Sequence, residues 1–209
     1  MITLLGRKTS GNVQKVLFLL EELRLPYARE DYGRQFGNTL TDAYRALNPN
    51  AKVPTMIDGD LVIWESHTIL RYLAALHAPA LHGATPGDRS MVERWMDWGL
   101  GAINAPYVAV FKDVKNAPGA RAADFAEQVK TLIEQLKILD GELAKREWLA
   151  LDRLTLAEIA LAPIVKRCLA FEIERPALPA LERWQAAIDA RPAFQVAIGA
   201  KPSVTATAA

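Results

Sequence analysis

Cysteine is nearly absent from this chain: Cys168 is the only one in 209 residues. A single thiol excludes an intramolecular disulfide and a structural zinc site built on several thiolates, and it gives no sign of an oxidising compartment. An excess of charge is missing as well, since 25 basic residues face 24 acidic ones for a formal net charge of +1. The balance holds by segment, with 9 basic and 8 acidic residues in 1–78 and 16 of each in the remainder. That distribution lacks the clustered basic footprint required by duplex nucleic acid or an anionic membrane. Long apolar runs are also missing. Met1 to Leu5 stops at Gly6, and Val16 to Leu20 is closed by Glu21 and Glu22. Neither approaches the core of a signal peptide or the roughly 20 apolar residues of a membrane span. The expected compartment is the cytosol, with neither membrane nor nucleic acid as partner.

Several catalytic signatures are lacking too. His67, His77 and His82 do not form the i, i+4 pair of a helical zinc site, so no metal is expected. There is no G-x-x-x-x-G-K-[ST] loop and no G-x-S-x-G nucleophile elbow. Gly99-Leu100-Gly101 is the only G-x-G and lies within a helical pattern. Serine occurs only at positions 10, 66, 90 and 203. With so few, the placing of two of them at helix starts is informative.

What is present begins with an alternation of strand and helix signals. Ile2 to Leu5 is β-prone, and Val13 to Leu23 carries apolar residues among helix formers before a stop at Leu25-Pro26. Tyr27 to Tyr32 reads as a strand, Arg34 to Asn38 as a loop, and Thr41 to Leu47 as a short helix stopped by Asn48-Pro49. Val53 to Ile57 and Leu61 to Trp64, joined through Asp58-Gly59-Asp60, carry the strongest hairpin signal. Glu65 to His77 follows with Ile69, Leu70, Leu73 and Leu76 at helical spacing. The order over 1–78 is βαβαββα.

Residues 79–88, with Pro79, Gly83, Pro86 and Gly87, have the composition of a linker, and 89–209 read as helical throughout. Pro106 is expected to bend the first long helix, Arg89 to Val114. Phe125, Val129, Leu132, Leu136, Leu139 and Leu143 form an amphipathic stripe. Thr155 and Glu158 spell a capping box, flanked by Leu154 and Ile159 as a hydrophobic staple. The helix it opens, Leu156 to Leu169, is apolar nearly all round and is expected at the centre of the helical domain, with a kink at Pro163. Leu178 to Ala190 is a further helix, and Lys201 to Ala209 a fraying tail.

Three segments stand out together: Lys8-Thr9-Ser10-Gly11-Asn12-Val13-Gln14-Lys15-Val16, then Asn48-Pro49-Asn50-Ala51-Lys52-Val53-Pro54-Thr55-Met56 with Asp58-Gly59, then Trp64-Glu65-Ser66-His67-Thr68-Ile69-Leu70-Arg71-Tyr72-Leu73. The combined series N-P-x-x-K-V-P…D-G…E-S-x-x-I-x-x-Y-L resembles the cytosolic glutathione transferases. The likeness extends into the second half through T-x-x-E, where that family usually has aspartate. It implies an α/β thioredoxin-like glutathione-binding domain over 1–78 and an all-α C-terminal domain. It also implies glutathione as co-substrate, a small hydrophobic electrophile as second substrate, and a homodimer.

The residue chemistry suits such a ligand. Within the resemblance a cis Val53-Pro54 bond turns the backbone of Val53 outward, as an open edge for the cysteinyl part of the peptide. Ser66, at the positive end of a helix, suits the α-carboxylate of a γ-glutamyl group, and Glu65 suits its ammonium. A plainer reading has Ser66 merely capping that helix. Lys52 can pair with the glycine carboxylate.

Ser10 aligns with the catalytic serine of theta-like members, and Asn12 with an asparagine of bacterial relatives that pair Thr with Asn. Either can supply a donor that holds the sulfur as thiolate, the nucleophilic form. Lowering a thiol pKa by two units takes roughly 2.7 kcal/mol, within reach of a charge-assisted hydrogen bond plus a helix dipole. Capping by Thr9, Ser10 or Asn12 is the competing structural reading.

Cys168 lies far from this motif, unlike the cysteine of beta and omega members, and reads as a buried filler. Tyr107 and Phe111 share a helix face and are expected to line the second-substrate pocket, while Trp95 and Trp98 fit either pocket or core. The expected function is conjugation of glutathione to an electrophile. The alternatives are a glutathione-dependent disulfide reductase or peroxidase of the nu-like kind, and a non-catalytic interaction protein on the same fold.

Overall fold

The computed structural model describes residues 1–202, so most of the tail expected to fray, 203–209, lies outside the described residues. The chain divides into two compact units, Met1–Ala80 joined by the segment from Asp189, and Leu81–Ile188.

The first unit is built on a four-stranded mixed sheet: β1 (Ile2–Leu5), β2 (Tyr27–Glu30), β3 (Thr55–Asp58) and β4 (Leu61–Trp64), in the order β2-β1-β3-β4. β1 runs parallel to β2 and antiparallel to β3, and β3 is antiparallel to β4. The hairpin register pairs Asp58 with Leu61, so of the expected Asp58-Gly59-Asp60 connection Asp58 ends β3 and the turn is Gly59-Asp60. Gly59 takes φ +58, the left-handed conformation that a two-residue hairpin demands at its first central position.

Helix α1 (Gly11–Glu22) connects β1 to β2. Val13, Val16, Leu17, Phe18, Leu19 and Leu20 are all at most 3% exposed, because α1 packs on α3 (Ser66–His77) on one side and α9 (Pro192–Ala197) on another. It closes with Leu25 N–H on the Leu20 carbonyl and Arg24 N–H on that of Glu21, with Arg24 at φ +53, the Schellman pattern before Pro26. Helix α9 opens with a proline at its first position. Phe194 meets Phe18 edge to face at 5.1 Å, and Arg191 binds Glu22 through two nitrogens. The short α2 (Asp42–Leu47) is capped by the Thr41 hydroxyl, which accepts from Tyr44 N–H.

The second unit contains α4 (Pro86–Trp98), α5 (Asn104–Asp113), α6 (Phe125–Leu143), α7 (Leu156–Leu169) and α8 (Pro179–Asp189). Residues 79–88 hold a 3-10 turn, Pro79–Leu81, and the first residues of α4, whose capping box of Thr85 and Asp88 has no counterpart in the sequence expectations. The expected long helix over Arg89 to Val114 is interrupted by a π turn, Gly99–Ile103. The backbone stays helical from α4 through this turn into α5, and Pro106 follows directly on it: the Ala102 carbonyl that its missing N–H leaves unserved lies inside the π turn.

Helix α7 runs on through Pro163 and is buried at eleven of its positions, making it the core of this unit. Its start is as the sequence spelled it. The Glu158 carboxylate accepts from Thr155 N–H at 2.8 Å, Thr155 O–H at 2.6 Å and Leu149 N–H at 2.7 Å. Burial pushes this carboxyl up against the three donors that pull it down.

Replacing Glu158 by Ala leaves the buried N–H groups of Leu149 and Thr155 unpaired and is expected to cost about 3 kcal/mol, against about 1 kcal/mol for Thr155→Ser, in urea unfolding.

The first unit buries an unusual polar pair. Lys15 on α1 is 5% exposed and His67 on α3 is 3% exposed, with Nζ and Nε2 3.1 Å apart. Burial, then the Lys15 and Arg71 charges, lower the His67 pKa to about 2, so its imidazole stays neutral in the folded chain. An unfolded histidine titrates near 6.5, so between that value and the folded one the unfolded state alone takes up a proton, and stability falls toward acid. The expected slope from this residue is about 1.4 kcal/mol per pH unit below about 6. Unfolding titrations of wild type and His67→Asn should therefore show the wild type losing its advantage on acidification. A stability difference constant with pH would refute this.

Candidate functional site

The end of β1 and the start of α1 come together through Gly6. A Cβ there would stand 2.5 Å from Val13 and 3.3 Å from Val53, so only glycine lets the strand end reach both. Across from it Gly33, at φ +86, passes close to Arg7 and Val53. Between these segments opens a cleft of about 290 Å³ lined by Arg7, Ser10, Asn12, Gly33, Arg34, Thr39, Ala51, Lys52 and Val53. Four residues singled out from sequence, Ser10, Asn12, Lys52 and Val53, thus meet at one place.

Ser10 is the N-cap residue of α1, yet its side chain makes no capping hydrogen bond. The capping reading of Ser10 is therefore corrected: the backbone supplies the cap geometry, and the hydroxyl is left at the positive end of a twelve-residue helix. Ser10 N–H donates to the Arg7 carbonyl at 3.1 Å, and Gln14 Nε2 to that of Lys8 at 2.9 Å, which ties down the preceding loop. Asn12 is exposed on the first turn.

The Val53-Pro54 peptide is cis. Its loop is held from beneath by a buried polar lock. The Lys52 carbonyl accepts from Tyr44 O–H and from Asn48 Nδ2, each at 2.8 Å. The Thr55 hydroxyl lies 2.9 Å from Tyr44 Oη and accepts from Asn48 Nδ2 at 3.0 Å. Burial pushes the Tyr44 phenol up, which keeps it a donor. Among the described residues the backbone N–H and carbonyl of Val53 take no hydrogen bond, so that edge stands open toward the cleft.

At the next segment the sequence expectation needs correction. Glu65, not Ser66, occupies the N-cap of α3, with φ +70, and Ser66 is the first helical residue, 4% exposed. Ser66 therefore does not cap its helix in the ordinary way. Glu65 accepts from Asn50 Nδ2 at 3.3 Å, which links it to the Lys52 loop. Among the described residues, Arg34, Ala51 and Glu65 are three of the four non-glycine residues at positive φ, and all lie at or beside this site. Such conformations cost about 1–3 kcal/mol each and persist where surrounding structure imposes them.

Arg7 and Arg34 were missed by sequence reasoning. Each is an ordinary loop cation, and only the approach of two loops makes them neighbours of Ser10. Tyr44 and Thr55 were missed likewise, although the spacing of Asn48 and Thr55 around Lys52 carried part of that signal.

Tyr107 and Phe111 belong to the second unit. Their rings stand 5.8 Å apart, with Phe171 at 6.1 Å and 6.5 Å, and Arg167 donates to Tyr107 Oη at 3.1 Å. Trp95 is buried, its indole N–H bonded to the Leu149 carbonyl at 2.8 Å, and with Trp98 it also lines a groove shared with Arg94, Ile138 and Glu142. Cys168 is fully buried, and burial pushes its thiol up, away from reactivity. Among the described residues no group of three or more His, Cys, Asp or Glu is gathered as for a metal, and no helix is long and apolar enough to cross a membrane.

Comparison with known proteins agrees with this geometry. The profile "Glutathione S-transferase, N-terminal domain" matches residues 9–76, and "Glutathione S-transferase, C-terminal domain" matches residues 102–192. Glutathione S-transferase GstB of Escherichia coli K12 is 36% identical over 200 residues, covering 93% of this chain and 96% of that protein. Glutathione S-transferase 4 of Zea mays is 31% identical over 195 residues, covering 90% and 87%. The theta class glutathione S-transferase of Xanthomonas axonopodis pv. citri, solved with glutathione bound, superposes with a TM-score of 0.90 at 40% identity, covering 95% of this chain and 97% of that one. With both halves matched and relatives of this identity spanning nearly their full length, the chain belongs to the glutathione S-transferase family.

Proposed function

We propose that the protein conjugates glutathione to small hydrophobic electrophiles, holding the thiol as a thiolate beside Ser10. The observation that carries this reading is the Ser10 hydroxyl. It stands at the N-terminus of α1, is not used by its own helix, and shares a cleft with Lys52 and the open backbone of Val53. Its O–H and the helix dipole favour the anionic sulfur, and the displaced thiol proton passes to solvent. The sulfur lone pair then forms a bond to the electrophilic carbon, and the leaving group departs with its electron pair.

The other groups bind the peptide. Lys52 takes the glycine carboxylate, and the cysteinyl backbone pairs with Val53, presented by Pro54. Ser66 takes the γ-glutamyl carboxylate at the start of α3, and Glu65 takes its ammonium. Asn12, on the same first turn as Ser10, is the alternative donor to sulfur. Tyr107 and Phe111, with Phe171, supply apolar surface for the electrophile. The enzyme works without a metal, in the cytosol and as a homodimer, on the family's pattern.

In Ser10→Ala, kcat is expected to fall about tenfold to a hundredfold while the dissociation constant for glutathione barely moves, because the Ser10 hydroxyl acts on the thiolate and not on the rest of the peptide. Ultraviolet absorbance of bound thiolate checks the cause: retained in Ser10→Ala and lost in Asn12→Ala, it would transfer the role to Asn12. A preference for disulfide over electrophilic substrates would select the reductase reading. Failure of the wild type to bind immobilised glutathione would sink both enzymatic readings and leave an interaction protein.

A further inference from the structure

The Lys15–His67 pair lies in the first unit's core and has no part in the peptide contacts assigned above. His67 is the second residue of α3, directly after Ser66, and Lys15 is the fifth residue of α1, just past Ser10 and Asn12. Both side chains are more than nine-tenths buried, and their nitrogens meet at 3.1 Å. An ammonium group has donors only, so Lys15 donates to Nε2, and the imidazole proton resides on Nδ1. That Nδ1 is buried with no hydrogen-bond partner. The charges bearing on the ring, Lys15 and Arg71, are both positive.

Burying a lysine and a histidine costs desolvation that a methionine and a leucine of similar size would not, and it leaves His67 Nδ1 without a partner. The place of the pair in the fold gives an account of that cost. The first turn of α3 already presents the positive end of a helix, and Lys15 adds a full cation, shielded from solvent, beneath that turn. An anion that binds at Ser66 would feel it with little screening.

Resting on the glutathione reading above, we propose that Lys15, held in place by His67, is a positioning residue that strengthens binding of the γ-glutamyl α-carboxylate at Ser66. It acts through the field and orientation of the first turn of α3 and touches no reacting atom.

The test compares glutathione with γ-aminobutyryl-cysteinylglycine, the same peptide without its α-carboxylate, by titration calorimetry on the full chain. Lys15→Met is expected to weaken glutathione binding about tenfold while leaving the affinity for the truncated peptide unchanged. Lys15→Arg, which keeps the charge, should retain most of the wild-type affinity, and His67→Leu should show a smaller decrease, again for glutathione alone. A merely structural role would lower both affinities by the same factor or neither, and that result overturns the proposal. So does loss of the native thermal transition in both Lys15→Met and His67→Leu, which would make the pair a folding element. Absence of glutathione binding by the wild type would instead overturn the functional reading itself.

Discussion

The burial of helix α1 on every side is the constraint on which the rest of the first unit depends. An ordinary surface helix has an apolar stripe and a solvated back; α1 is buried at every position from Val13 to Glu21 and packs on both α3 and α9. Its axis is therefore held by the sheet connection, by α3 and by α9 together. A helix fixed in this way delivers its N-terminus to one place, and that is where Ser10 stands. The C-terminal segment matters here out of proportion to its six helical residues, because Phe194 and Arg191 secure the far end of α1.

Placing a hydroxyl is half of the site; the other half is an immobile stretch of backbone opposite it. The Tyr44, Asn48 and Thr55 side chains converge on the Lys52 carbonyl and on one another, all within buried surroundings. Each donor has an acceptor, so the network stiffens the loop without leaving a polar group orphaned. With its outer carbonyl held from beneath, the loop can leave the Val53 backbone unpaired on its upper side, the form an extended peptide needs for pairing. The left-handed residues Arg34, Ala51 and Glu65 gather around the same cleft, where the surrounding structure over-determines a conformation that the chain would otherwise avoid.

Much of the fold was legible because its signals are local. The βαβαββα order follows from apolar periodicity and from Pro and Gly punctuation. Thr155 and Glu158 announce their capping box by a spacing of three, and Asp58-Gly59-Asp60 announces the hairpin, whose register leaves Gly59-Asp60 as the turn. The distortion expected at Pro106 takes the form of a π turn at Gly99–Ile103 just before it, which the sequence marks by no punctuation beyond two glycines in a helical run. Glu65 gave no hint of positive φ, and Ser66 looked like a cap because serine before an apolar run usually is one.

The sequence by itself determined which elements form and which residue types were available for chemistry: a serine before a buried helix, a lysine before Val-Pro, an acid and a serine at the start of α3. Those are properties of short segments, set by periodicity, propensity and spacing. Only the tertiary structure decided which of those groups meet and which are engaged elsewhere. It left the Ser10 hydroxyl out of its cap, brought Arg7 and Arg34 beside it, and buried Lys15 against His67. The reason is physical: whether a polar side chain is engaged by its own backbone, by a neighbour or by a ligand depends on which other segments crowd it, and sequence spacing carries no record of that.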